Sequence, residues 1–154
     1  MATPIDLTEM LNRASTGWVH EMGLRFTIAN ADEVRCEFDA GEHHLQAYGI
    51  VHGGVHAGVI ETLASVGAAA AALPRDQAVV GLENSTSFIR AVRAGARLHA
   101  VGTPITRGRK SQVWEGRIYD EEERLVAIGR VRLLCIPREE GIAGGEAQVP
   151  PDRA

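Results

Sequence analysis

Glu61 is the one carboxylate inside a run of apolar and small residues, Val55 to Leu73. Burying an ionised carboxylate is costly unless something compensates. A Glu in this place is therefore on an exposed stripe, paired with a base, or a desolvated group suited to nucleophilic or base chemistry. Ser65 follows at i+4 and shares its helix face. Its hydroxyl could orient the carboxylate or an attacking water, or it could pack as a small residue. Gly53 and Gly54 open the same run. Free backbone N–H groups at a helix start, helped by the helix dipole, suit a carbonyl oxygen that is becoming an oxyanion. Gln46, in the preceding loop, could add a side-chain N–H to that oxygen. The chemistry this set could perform is attack on an acyl carbonyl.

Other chemistries fit less well. His52 and His56 stand four apart, with His43-His44 nearby. Zinc hydrolases use such pairs, but with Glu directly after the first His, and here position 53 is Gly. No metal is expected. A serine triad lacks its Gly-x-Ser-x-Gly context. Basic residues gather at Arg90 and Arg93, and again at Arg107, Arg109 and Lys110 ahead of Ser111. Such local cations could hold a nucleotide phosphate, or could be solvated hairpin tips.

These residues need a scaffold. The stretch Val55 to Leu73 has no proline, follows Gly53-Gly54 and is closed by Pro74. It predicts a helix about 28 Å long, buried on most sides because its second half is almost wholly small and apolar. Asp6, with Glu9 three residues on, predicts a short helix over about 6–17. Alternating and apolar runs predict strands at 24–29, 33–40, 78–83, 86–90, 97–106, 111–120 and 124–136. The breaks between the later strands are short, so neighbours should be antiparallel. A sheet curled around one central helix follows, an α+β fold in a single domain over 1–137. A polar, Pro/Gly-rich tail is expected over 138–154.

Composition sets the outer limits. The chain has 154 residues, with 45% hydrophobic and 23% charged, as in ordinary globular proteins. A net charge of −4 gives no basic field, so no nucleic-acid partner is expected. Cys36 and Cys135 are too few for a disulfide scaffold and read as buried thiols in a reducing, cytoplasmic setting. No signal peptide is visible and no membrane partner is expected. Aromatic residues make up only 5%, while there are 17 glycines, so the core must be filled by small and aliphatic side chains.

Read together, Gln46-Ala-Tyr-Gly-Ile-Val-His52-Gly53-Gly54, Glu61 and Ser65 resemble the hotdog-fold acyl-CoA thioesterases. The branch in question acts on hydroxybenzoyl-CoA, dihydroxynaphthoyl-CoA and phenylacetyl-CoA type thioesters. The resemblance continues through Val80-Gly-Leu-Glu83, Thr86-Ser-Phe-Ile-Arg90 and Gln112-Val-Trp114, and covers about residues 20–137. It implies a long helix wrapped by a curved antiparallel sheet. It implies Glu61 as nucleophile or general base, and the Gly53 N–H as the group that polarises the thioester carbonyl. Gln46 and His52 would orient that carbonyl and Ser65 would support the attack. Gly54, Tyr48, Phe88, Arg90, Arg107, Arg109, Lys110 and Ser111 would bind substrate. Some naphthoate-type relatives carry His where this chain has Phe88. A homodimer or a tetramer of dimers is implied, with the site between subunits, an acyl-CoA substrate and no cofactor beyond it. Two alternatives keep the fold: a non-catalytic acyl-thioester binder, and a hydroxyacyl-thioester dehydratase.

Overall fold

The structure is a computed structural model that describes residues 5–146. Its axis is a helix of 20 residues, α3 (Gly53–Ala72). For reference, the other elements are α1 (Thr8–Arg13), α2 (Gly17–Glu21), β1 (Arg25–Ala29), β2 (Val34–Asp39), β3 (Gln77–Phe88), β4 (Arg97–Arg107), β5 (Ser111–Tyr119) and β6 (Leu125–Pro137). The alanine-rich sequence of α3 favours helix throughout. His52 caps its start, with Nδ1 accepting from the Gly54 N–H at 2.8 Å. A short turn over Leu73–Arg75 then carries the chain to Asp76, in the left-handed region, and β3 begins.

All strands pair antiparallel in one six-stranded sheet, in the order β1-β2-β4-β5-β6-β3. This is the helix-on-curved-sheet arrangement of the hotdog fold. By length and composition the segment Gly53–Arg75 could cross a membrane. Here it lies on the sheet instead, with Val59, Ile60, Leu63, Ala64 and Ala68 buried. Close approach is possible because paired glycines sit beneath it. Gly102 of β4 opposes Gly116 of β5, and a Cβ at either would come within 2.9 Å of Leu63 or Ile60. Much of the glycine excess therefore serves packing between helix and sheet.

Three expectations are revised. The N-terminal helix expected over about 6–17 is shorter, Thr8–Arg13, and a second helix, α2, starts at Gly17, which takes φ +57. Asp6 accepts from the Thr8 N–H at 2.9 Å, but the cap position of α1 is Leu7, one residue later than expected. The two strands expected at 78–83 and 86–90 are one, because Asn84 and Ser85 pair with Val131 and Arg130 instead of turning. A register shift between Gly81 and Glu83 bends that strand. Finally, the segment expected as a tail forms a 3-10 turn over Arg138–Glu140 and a tight bridge between Ile142 and Gly145. The rest of it, 147–154, lies outside the described residues.

Candidate active site

Glu61 sits at the middle of α3, partly buried, with its carboxylate against the bulge in β3. There is no side chain at Gly81, and the carboxylate occupies the space one would take. Asn84 Nδ2 donates to Glu61 Oε2 at 3.0 Å and to the Ala57 carbonyl at 2.9 Å. Thr86 Oγ1 donates to Asn84 Oδ1 at 2.6 Å, which turns the amide N–H groups toward the carboxylate. The chain Thr86–Asn84–Glu61 thus fixes one carboxylate oxygen, and among the described residues Oε1 has no donor. Among the described residues no cation pairs with Glu61, so of the readings its sequence position allowed, the ion-paired one is removed.

A cleft of about 360 Å³ opens over the carboxylate, lined by Ala57, Gly58, Glu61, Asn84, Thr86 and Phe88. Bulges beside a site commonly re-aim side chains; here the shift at Gly81/Glu83 precedes the residue that reaches the carboxylate. Asn84, Thr86 and Trp18 were missed from sequence. The signal for Asn84 was a polar run inside a strand. Trp18, 42% exposed, lays its ring where a side chain at Gly58 would stand, beside the cleft.

The two glycines at the start of α3 differ in what their N–H groups do. Gly54 donates to the His52 cap, and His52 itself is exposed. The Gly53 N–H enters none of the hydrogen bonds among the described residues. It is an open donor at a helix N-terminus, suited to an oxyanion. The Phe88 ring lies close over Gly53, at 2.8 Å from where a Cβ would be. Near that ring is also His56, 3% exposed, with ring centroids 6.3 Å apart. Its Nδ1 is buried without a partner, and burial pushes its pKa down to about 4, so the ring is neutral near neutral pH.

Other expected residues are less gathered. Gln46 closes a turn, its Oε1 accepting from the Tyr48 N–H, and its Nε2 donates to none of the described residues. Tyr48 is 84% exposed and does not line the cleft. Ser65 makes no hydrogen bond to Glu61; it faces a separate apolar cavity between α1 and α3. Arg90 follows Phe88 near the start of α3. Arg107 is tied to Asp32 at 2.6 Å and to the Ala31 carbonyl. Arg109 and Lys110 lie at the opposite end of the helix, where the Arg109 carbonyl accepts from Gln77 Nε2 and the Lys110 carbonyl from the Cys135 N–H. Ser111 opens β5 there. A helix of 20 residues separates these ends by about 30 Å, so one chain does not unite its basic residues.

This arrangement has known counterparts. A family model described as "Thioesterase superfamily" matches residues 48–127. Proofreading thioesterase EntH of Cronobacter sakazakii is 38% identical over 130 residues, covering 83% of this chain and 93% of that protein. The 1,4-dihydroxy-2-naphthoyl-CoA hydrolase of Escherichia coli K12 is 32% identical over 129 residues, covering 83% and 93%. The solved structure of "a putative esterase Rv1847/MT1895 from Mycobacterium tuberculosis" superposes with a TM-score of 0.75 at 37% identity, over 78% of this chain and 96% of that one.

Proposed function

The chain belongs to the thioesterase superfamily and is a thioester hydrolase, and on that premise we propose that it cleaves an aryl- or arylacetyl-CoA to the free acid and coenzyme A. The observation that carries this reading is the pairing of an open Gly53 N–H with a carboxylate, Glu61, aimed by Asn84. The thioester carbonyl rests on the Gly53 N–H, with Gln46 and His52 beside it. Glu61 attacks the carbonyl carbon or takes a proton from the water that does. The carbon–sulfur bond breaks, and the coenzyme A thiolate leaves and is protonated. No cofactor is needed beyond the coenzyme A of the substrate, and two buried free thiols favour a cytoplasmic setting. An acyl-CoA hydrolase of Escherichia coli among the relatives supports an aromatic acyl group.

The active unit in this reading is a dimer. Gly53 and Glu61 are eight residues apart, about 12 Å along the helix axis. Attack requires both to converge on one carbonyl, with reacting atoms about 3–3.5 Å apart. A second copy, joined along β3, would bring its own Gly53 to the first copy's Glu61. β3 is a sheet edge of 12 residues, paired only to β6, with Leu82 and Phe88 exposed. Long unpaired edges are templates for pairing. An antiparallel join would also bring Arg90 of one copy toward Arg109 and Lys110 of the other, around the nucleotide phosphates.

The test is thiol release from benzoyl-, hydroxybenzoyl-, phenylacetyl- and straight-chain acyl-CoAs. The wild-type protein should favour the aromatic thioesters, and Glu61→Gln should lose nearly all turnover with its melting temperature kept. Near-normal turnover in Glu61→Gln would overturn the mechanism. Tight binding without release would favour the acyl-binding alternative.

A further inference from the structure

The second cavity lies under Ser65, one turn of α3 beyond Glu61, and encloses about 330 Å³. Its walls are mainly apolar: Leu7 just ahead of α1 and Leu11 within it, Val66 and Ala69 from α3, Val79 from β3, and Ile142 from the segment after the last strand, with Gln77 and Arg138 also at its lining. That is at the lower end of ligand-pocket volumes, and larger than the packing gaps of a protein interior.

Its walls are held by specific bonds. α1 is pinned to β1, because Asn12 Nδ2 donates to the Phe26 carbonyl and the Phe26 N–H donates to Asn12 Oδ1, both at 2.9 Å. The Leu7 N–H also donates to the Ala29 carbonyl at 2.8 Å. Beyond β6, Gly141 and Gly144 take positive φ, and Ile142 and Gly145 exchange backbone hydrogen bonds at 2.8 and 2.9 Å. This tight turn sets the Ile142 side chain at the cavity, where it remains 37% exposed. Neither α1 nor this turn lies within the family-matched residues, 48–127. The cavity is therefore closed by segments that flank the matched residues.

We infer that this cavity takes the apolar end of the acyl group, and that Ile142, on the turn after β6, determines how large that group can be. The inference rests on the thioesterase reading, since it places the acyl group by its distance from Glu61. The carbonyl stays at the cleft, and the acyl substituent passes Ser65 along α3 into a mainly apolar space. A volume of this size takes one aromatic ring or a short alkyl chain and excludes a long fatty chain. Ile142 is a wall residue that substitution can enlarge or shrink without touching Glu61, Asn84 or Gly53.

The experiment measures kcat/KM for acetyl-, benzoyl-, phenylacetyl-, octanoyl- and dodecanoyl-CoA in the wild-type protein, Ile142→Trp and Ile142→Ala. Ile142→Trp should lower kcat/KM for phenylacetyl- and octanoyl-CoA by about tenfold or more, while acetyl-CoA stays within about twofold. Ile142→Ala should move the preference toward octanoyl- and dodecanoyl-CoA. Melting curves show whether each variant is folded. An active wild-type protein whose acyl profile is unchanged in both folded variants overturns the inference and leaves the thioesterase reading standing. A wild-type protein silent toward every acyl-CoA overturns the proposed substrate and this assignment with it.

Discussion

The first turn of α3 and its later turns both set a glycine under an aromatic ring, and the two sites do opposite things. At Gly67 the ring is Trp114, fully buried, and a Cβ there would fall inside the ring's van der Waals surface. Trp114 Nε1 donates to Gln112 Oε1 at 3.0 Å, and Gln112 Nε2 donates to the Ala68 carbonyl at 3.0 Å. All of these buried polar groups are satisfied. At Gly53 the ring is Phe88, 58% exposed, and among the described residues neither the Gly53 N–H nor the Nδ1 of neighbouring His56 has a partner. An unsatisfied buried polar atom costs about 1–3 kcal/mol. One glycine lets a helix and a sheet close on each other; the other leaves hydrogen-bonding capacity that no described residue uses. Glycine in a helix thus reads as packing or as function according to what its neighbours leave unsatisfied.

The contrast is sharpest if the two glycines can be broken separately. Gly53→Pro removes the N–H at the first helical position, where proline is well tolerated. His52, at φ −63 and ψ 135, already has the extended conformation a residue before proline needs. Turnover should fall by about 10²–10³ with little change in melting temperature, the range for losing one oxyanion donor. Gly53→Ala retains the N–H while adding the same Cβ against Phe88, and should lose far less. Equal losses in the two variants would assign the effect to the ring contact instead. Gly67→Ala should do the reverse. Overpacking against Trp114 should cost about 1–3 kcal/mol, read in denaturant or thermal melts, while kcat/KM per folded molecule at low temperature stays at the wild-type level. A matching fall in activity would erase the distinction between the two ends.

Much of this was legible in the sequence, and the parts that were not share a cause. The long helix and the antiparallel neighbours follow from spacing and a missing proline. Asn84 did not stand out, because its role depends on a bulge at Gly81/Glu83 that turns it onto the helix. Trp18 belongs to a different element from Gly58, and only the fold brings them together. Arg90 and Arg109 were grouped by charge, yet in the chain they stand at opposite ends of α3. Ser65 was read by its i+4 spacing from Glu61, but it faces the apolar cavity. The expected tail made the same kind of error: Gly141 and Gly144 read as loosening residues, and their positive φ instead folds Ile142 back onto the cavity. Local sequence gives elements and candidate groups, and tertiary pairing decides which of them meet.

In the proposed dimer, one carbonyl is held by the N–H of one copy and attacked through the carboxylate of another. Mixing Glu61→Gln and Gly53→Pro subunits tests this arrangement most directly. Each variant alone should be close to inactive in thiol release. Co-assembled, a mixed pair contains one site with both an intact Gly53 N–H and an intact Glu61, so activity should rise well above that of either parent. Mixed oligomers that form, as shown by native mass spectrometry, and stay as inactive as their parents would contradict the account.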